Sequence, residues 1–144
     1  MAAPNTEPVF TRVADVQWIG SITTANTNAD LTGAGTSYLA FTADATNGGY
    51  VTRARIKTAP GANCAATVVR FWLNNGSTVG TAANSALIGE LTFAATTASS
   101  TAAQIDYDFP LGIALPPGYK IYVTVGTAPG GSAALTVTCF GGKY

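Results

Sequence analysis

The sequence predicts an all-β protein: an antiparallel, jelly-roll-like β-sandwich of about eight strands over residues 17–144, preceded by an extended N-terminal arm over residues 1–16. Three observations lead there. Short segments alternate apolar and polar residues with the period of two that strands impose, and no helical period survives eleven residues anywhere. Clusters of Gly, Asn and Pro separate these segments at turn spacing. The composition is that of strands, with 6 Phe, 6 Tyr, 2 Trp and abundant Val, Ile and Thr. A chain of 144 residues suits one domain, able to bury about two-thirds of its unfolded surface.

In chain order, the arm comes first. Pro4 and Pro8 interrupt regular structure there, and Val9, Phe10 and Val13 are apolar residues with no turn of their own. They are expected to lie across another protein surface. Strands then follow at 17–23, 37–43, 50–58, 65–74, 86–94, 105–113, 119–126 and 133–140. The turns between them are legible. Asn47-Gly48-Gly49 and Asn74-Asn75-Gly76 tolerate positive φ, and Pro116-Pro117-Gly118 and Ala128-Pro129-Gly130-Gly131 fix φ and then release it.

Alternation sorts the faces. Val69, Phe71 and Leu73 oppose Val68, Arg70 and Trp72. Ile121, Val123 and Val125 oppose Lys120, Tyr122 and Thr124. Leu135, Val137 and Cys139 oppose Thr136, Thr138 and Phe140, and Tyr50 and Ile56 oppose Val51, Arg53, Arg55 and Lys57. One face of each strand is expected in the core, and the other outside, with Trp72, Tyr122 and Phe140 exposed. Strand order is not readable from one sequence. A jelly roll manages its edges with two Greek keys. Its competitor is an immunoglobulin-like sandwich, but the order and spacing of Cys64, Trp72 and Cys139 do not fit that fold.

Charged residues make up 10% of the chain, net charge is zero and pI is near 6.0. A neutral, charge-poor, Thr-rich surface suits a protein covered by others, since free small domains carry net charge for solubility. The absence of a basic excess gives no support to nucleic-acid binding, and the absence of a polybasic run none to a membrane surface. No stretch has the 18 apolar residues that span a bilayer, and residues 1–7 lack the regions of a signal peptide.

No catalytic constellation, cofactor or metal site is expected. His is absent. Asp106 and Asp108 lie on one side of a strand, roughly 7 Å apart by strand rise, a separation met in glycosidases. Without an apolar pocket or sugar-stacking aromatics beside them, they read as solvated carboxylates. None of Lys57, Lys120 and Lys143 stands in Ser-x-x-Lys spacing, and Gly33-Ala34-Gly35 is not followed by a helix. Asn26, Asn28 and Asp30 read as a polar loop before a weak calcium loop. Cys64 and Cys139 read as two buried thiols. A single disulfide is the alternative, worth roughly 4 kcal/mol by loop closure. Arg53, Arg55 and Lys57, joined by Arg70, form a candidate positive strip. Such a strip either docks an acidic partner or protects an edge strand.

The segment Asp106-Tyr107-Asp108-Phe109-Pro110-Leu111-Gly112-Ile113-Ala114-Leu115-Pro116-Pro117-Gly118-Tyr119-Lys120-Ile121-Tyr122-Val123-Thr124-Val125-Gly126-Thr127 resembles the C-terminal part of small proteins encoded in tailed-phage structural gene clusters. The closing Phe140-Gly141-Gly142-Lys143-Tyr144 resembles the Gly-rich, Tyr-terminated ends of the same group. The resemblance covers roughly the last forty residues and rests on structural motifs, with no catalytic residue to carry over. It implies an accessory structural protein of the virion, made in the host cytoplasm. A capsid decoration (cement) protein leads, and neck or tail components share the group. The implied partners are the major capsid protein or other virion proteins, together with further copies of the chain, a homotrimer first. The expected partner-binding residues are Val9, Phe10, Val13, Arg53, Arg55, Lys57, Arg70, Trp72 and Tyr122. A receptor- or carbohydrate-binding sandwich using exposed aromatics is the alternative.

Overall fold

Val, Ile, Phe and Thr at alternating positions build eight strands: β1 (Val13–Ile22), β2 (Tyr38–Thr42), β3 (Gly49–Thr58), β4 (Thr67–Asn74), β5 (Ser85–Phe93), β6 (Asp106–Leu115), β7 (Lys120–Val125) and β8 (Leu135–Lys143). The computed structural model describes residues 10–31, 35–130 and 134–144. Each segment expected from alternation coincides with one strand. Gly48, Gly76, Gly118 and Gly130, in the four turns read from sequence, all take positive φ.

The strands form two four-stranded sheets, in the orders β1-β8-β3-β6 and β2-β7-β4-β5. All pairings are antiparallel. Strand β1 pairs with β8, β2 with β7, β3 with β6 and β4 with β5. The chain thus runs as one long hairpin folded over the two layers of a β-sandwich.

The start of β1 corrects the expected arm. Residues 13–16 pair with Lys143 to Phe140, so Val13 belongs to the sheet. Their own alternation is weak, and only the long-range partner β8 makes them a strand. Val9 lies outside the described residues.

The core sits between the sheets. Phe41, Phe71, Phe93, Ile56, Ile121, Val123, Val125, Leu135, Val137 and Cys139 are all fully buried there. Strand β3 departs from strict alternation. The register of both its pairings shifts between Val51 and Arg53, leaving Thr52 as a bulge whose Oγ1 donates to the Phe140 carbonyl. Val51 therefore points into the core with Ile56, whereas alternation alone sets Val51 beside Arg53.

Aromatic contacts close one side of the sandwich. The Phe109 ring from β6 stacks on Phe71 from β4 at 4.7 Å, and Tyr107 meets Phe93 edge-on at 5.5 Å. Gly89 on β5 leaves room for Phe109, because a side-chain carbon there overlaps the ring.

A primary amide closes the other side. Gln17 points inward from β1. Its Nε2 donates to the Thr42 carbonyl and its Oε1 accepts the Thr42 N–H, both at 2.9 Å. Gln17 thus stands in for a neighbouring strand at the free edge of β2. Gln17→Leu orphans both Thr42 groups and is expected to cost about 1–3 kcal/mol. Chemical denaturation measures the cost, and hydrogen exchange at the Thr42 amide should accelerate. Unaltered exchange there would show that the glutamine does not hold this edge.

Candidate docking surface

The outer face of the β1-β8-β3-β6 sheet carries three of the nine expected partner-binding residues, Arg53, Arg55 and Lys57, together with Asp106, Asp108 and Phe140. Register places Val16, Phe140, Arg53 and Pro110 in one row across its four strands. The next row is Trp18, Thr138, Arg55 and Asp108, and beyond it Lys57 lies between Thr136 and Asp106.

Charges on this face neutralise one another. Arg55 grips Asp108 with two bonds, Nε to Oδ1 at 2.8 Å and Nη2 to Oδ2 at 2.7 Å. Arg53 stands 3.7 Å from the same carboxylate, and its guanidinium lies 4.6 Å from the centre of the Phe140 ring. The hydrogen bond from Arg55 holds the Asp108 carboxyl below its ordinary range, and the same bond raises the guanidinium of Arg55. These pairs face solvent, so they fix side-chain geometry more than they stabilise the fold.

The expected positive strip is corrected accordingly. Arg55 and Lys57 stand in register with Asp108 and Asp106 of β6, and Arg53, opposite Pro110, reaches Asp108 diagonally at 3.7 Å. Arg70 is not part of it: it lies on β4, in the opposite sheet, with Nε 2.6 Å from Glu90 Oε1. Asp106 and Asp108 share a face, as the strand period requires, but Asp108 serves as the anion of an ion pair.

Trp72 is likewise corrected. It is only 2% exposed, and its Nε1 donates to Thr124 Oγ1 at 3.0 Å. Tyr122 and Leu87 flank it on the neighbouring strands. Tyr122 is half-buried there, so the two aromatics expected to be exposed together lie side by side in the sheet.

The aromatics that do face solvent are elsewhere. Trp18 is 70% exposed and Phe10 83%. Phe10, Thr11, Tyr50, Thr52 and Tyr144 line a cleft of about 460 Å³. Trp18 went unmarked in the sequence, although its place opposite Gln17 and Ile19 in the alternation was the available signal.

A larger, open cleft of about 680 Å³ lies among loops, between residues 60–65, 95–97 and 129–130. Among the described residues, no carboxylate or basic side chain lines it. Cys64 does, with its thiol pKa raised by burial and Sγ donating to the Ala65 carbonyl. Both cysteines are free, and burial pushes the Cys139 thiol up to about 12, which keeps it protonated and unreactive. Asn26 is buried and structural, its N–H donating to the Val125 carbonyl and its Oδ1 accepting the Asn28 N–H. Among the described residues no three His, Cys, Asp or Glu come together, and no helix is long and apolar enough to cross a membrane.

Compared with known proteins, the chain matches no family model, no curated protein and no solved structure.

Proposed function

We propose that the chain is a structural protein of a tailed-bacteriophage particle, a capsid decoration protein that clamps the assembled major capsid lattice. The observation that supports this reading is the cleft around Phe10. There the exposed Phe10 stands beside Tyr50 and Tyr144, with no carboxylate or basic side chain among the described lining residues. Such a surface binds by shape and apolar burial.

A protein that binds only the assembled lattice stabilises it by mass action, and repetition over the particle multiplies the effect. With Arg53, Arg55 and Arg70 already paired to carboxylates, docking leaves little charge for salt to screen.

The test is a particle experiment. Particles lacking the protein should assemble but rupture at a lower temperature. Added wild-type protein should restore them at low and high ionic strength, and a variant lacking residues 2–12 should stay folded and fail to restore. Unchanged rupture without the protein would overturn the clamp and favour receptor or carbohydrate binding.

A further inference from the structure

The two sheets have four edges, and three are blocked. The edge of β2 is short, shifts register at Ala40 and is capped by the Gln17 amide at Thr42. The edge of β6 carries Asp106 and Asp108, Pro110 with no N–H to offer, and Gly112 at a φ of 60° where the register breaks. The edge of β5 carries Glu90 and a register shift that leaves Ile88 unpaired. These are the devices by which natural sheets avoid joining their neighbours.

Along residues 13–19 the edge of β1 has no register shift, no proline and no backbone cap, and a single charge. These seven consecutive residues pair with β8 without interruption, and they include no Pro, Gly, Lys or Arg. The one charge is Asp15, which accepts from Gln17 Nε2 at 3.1 Å and lies 3.9 Å from Lys143 Nζ. Outward-facing Val16 is 44% exposed, beside the far more open Trp18. Among the described residues, β1 is an end strand with β8 as its one partner.

The spacing of these residues is symmetrical about Val16. From this we infer that β1 pairs antiparallel with β1 of a second copy, about a two-fold axis through Val16, making one continuous eight-stranded sheet. In that register Val13 faces Ile19 of the second copy, and the whole regular stretch is used. On the outer face Trp18 packs over the small Ala14 across the axis, twice, and Val16 meets Val16. On the inner side Asp15 faces Gln17, so no like charges oppose one another. Two indoles and seven paired residues from each copy bury on the order of 1,000 Å², the lower bound for a specific interface. A two-fold contact of this kind closes on itself and ends the assembly at a dimer.

This inference concerns the isolated protein and is independent of any particle, so its failure leaves the docking reading untouched. The full chain is measured by sedimentation equilibrium and should show a dimer. Trp18→Lys should weaken the dimer about thirtyfold or more, as loss of a central aromatic anchor does. Trp72 remains in that variant, and its buried emission reports an intact fold. Val16→Cys should form an intermolecular disulfide on oxidation, because facing residues of an antiparallel pair have Cα atoms about 4.5–5.5 Å apart. Ala14→Cys should not, because it faces Trp18 of the other copy. A monomer at the highest attainable concentration would overturn the inference. So would a trimer indifferent to Trp18→Lys, or equal cross-linking at Ala14 and Val16.

Discussion

Phe71→Ala is expected to destabilise the protein by about 3–5 kcal/mol, the range for removing a large buried aromatic. The ring is fully buried on the inward face of β4 and stacks face to face with Phe109 at 4.7 Å. Its loss leaves a void next to Gly89, which has no side chain with which to fill it. Phe109 loses its stacking partner at the same time, so the side of the sandwich between β5 and β6 opens. For a domain of this size the melting temperature should fall by roughly 10–15 °C. A melt unmoved by the substitution would mean that β4 turns its other face to the core.

Trp72→Ala should cost as much, about 3–5 kcal/mol, though the residue lies on the outer face of its sheet. The indole is buried between Tyr122 and Leu87, and its N–H is spent on the Thr124 hydroxyl. A solvent-exposed binding aromatic in the same place would change stability by no more than about 0.5 kcal/mol. Denaturation of this single variant therefore separates the two roles. Trp72→Phe keeps most of the volume, loses one hydrogen bond, and should cost about 1–2 kcal/mol. Unchanged stability in Trp72→Ala would return the indole to the surface.

What the sequence makes legible is local. Period-two alternation located all eight strands, and Asn-Gly and Pro-Gly clusters located the turns, because both signals arise within a few residues. The inward faces of β4, β7 and β8 followed from the same rule. It failed at Thr52, where one bulged residue breaks the alternation, so that Val51 turns inward although Arg53, Arg55, Ile56 and Lys57 keep their expected sides. It also could not say which strands share a sheet. Arg70 and Arg53 look alike in sequence, yet they stand on opposite layers because β4 pairs with β7 while β3 pairs with β8. The neutralising carboxylate of Asp108 comes from 53 positions beyond Arg55. Trp72 was expected outside and is buried, while Trp18, given no role by the sequence, is exposed: burial on an outer face depends on neighbours that alternation does not describe.

The order of pairing also sets the order in which this chain can fold. Among the described residues, neither β1 nor β2 pairs backbone to backbone with a strand of the N-terminal half; β1 pairs only with β8 and β2 only with β7, and the Gln17 amide joins β1 to β2 through its side chain. The hairpin of β4 and β5 needs the shortest loop and can form first, followed by β3 on β6, as loop-closure entropy favours near partners. The first strands synthesised are the last to find a place. Until β7 and β8 exist, the apolar residues of β1 and β2 have no sheet to join. A topology so dominated by distant contacts places this protein among the slow folders, on the scale of milliseconds to seconds. During that interval the open β1 edge is the segment most prone to pair with the wrong chain.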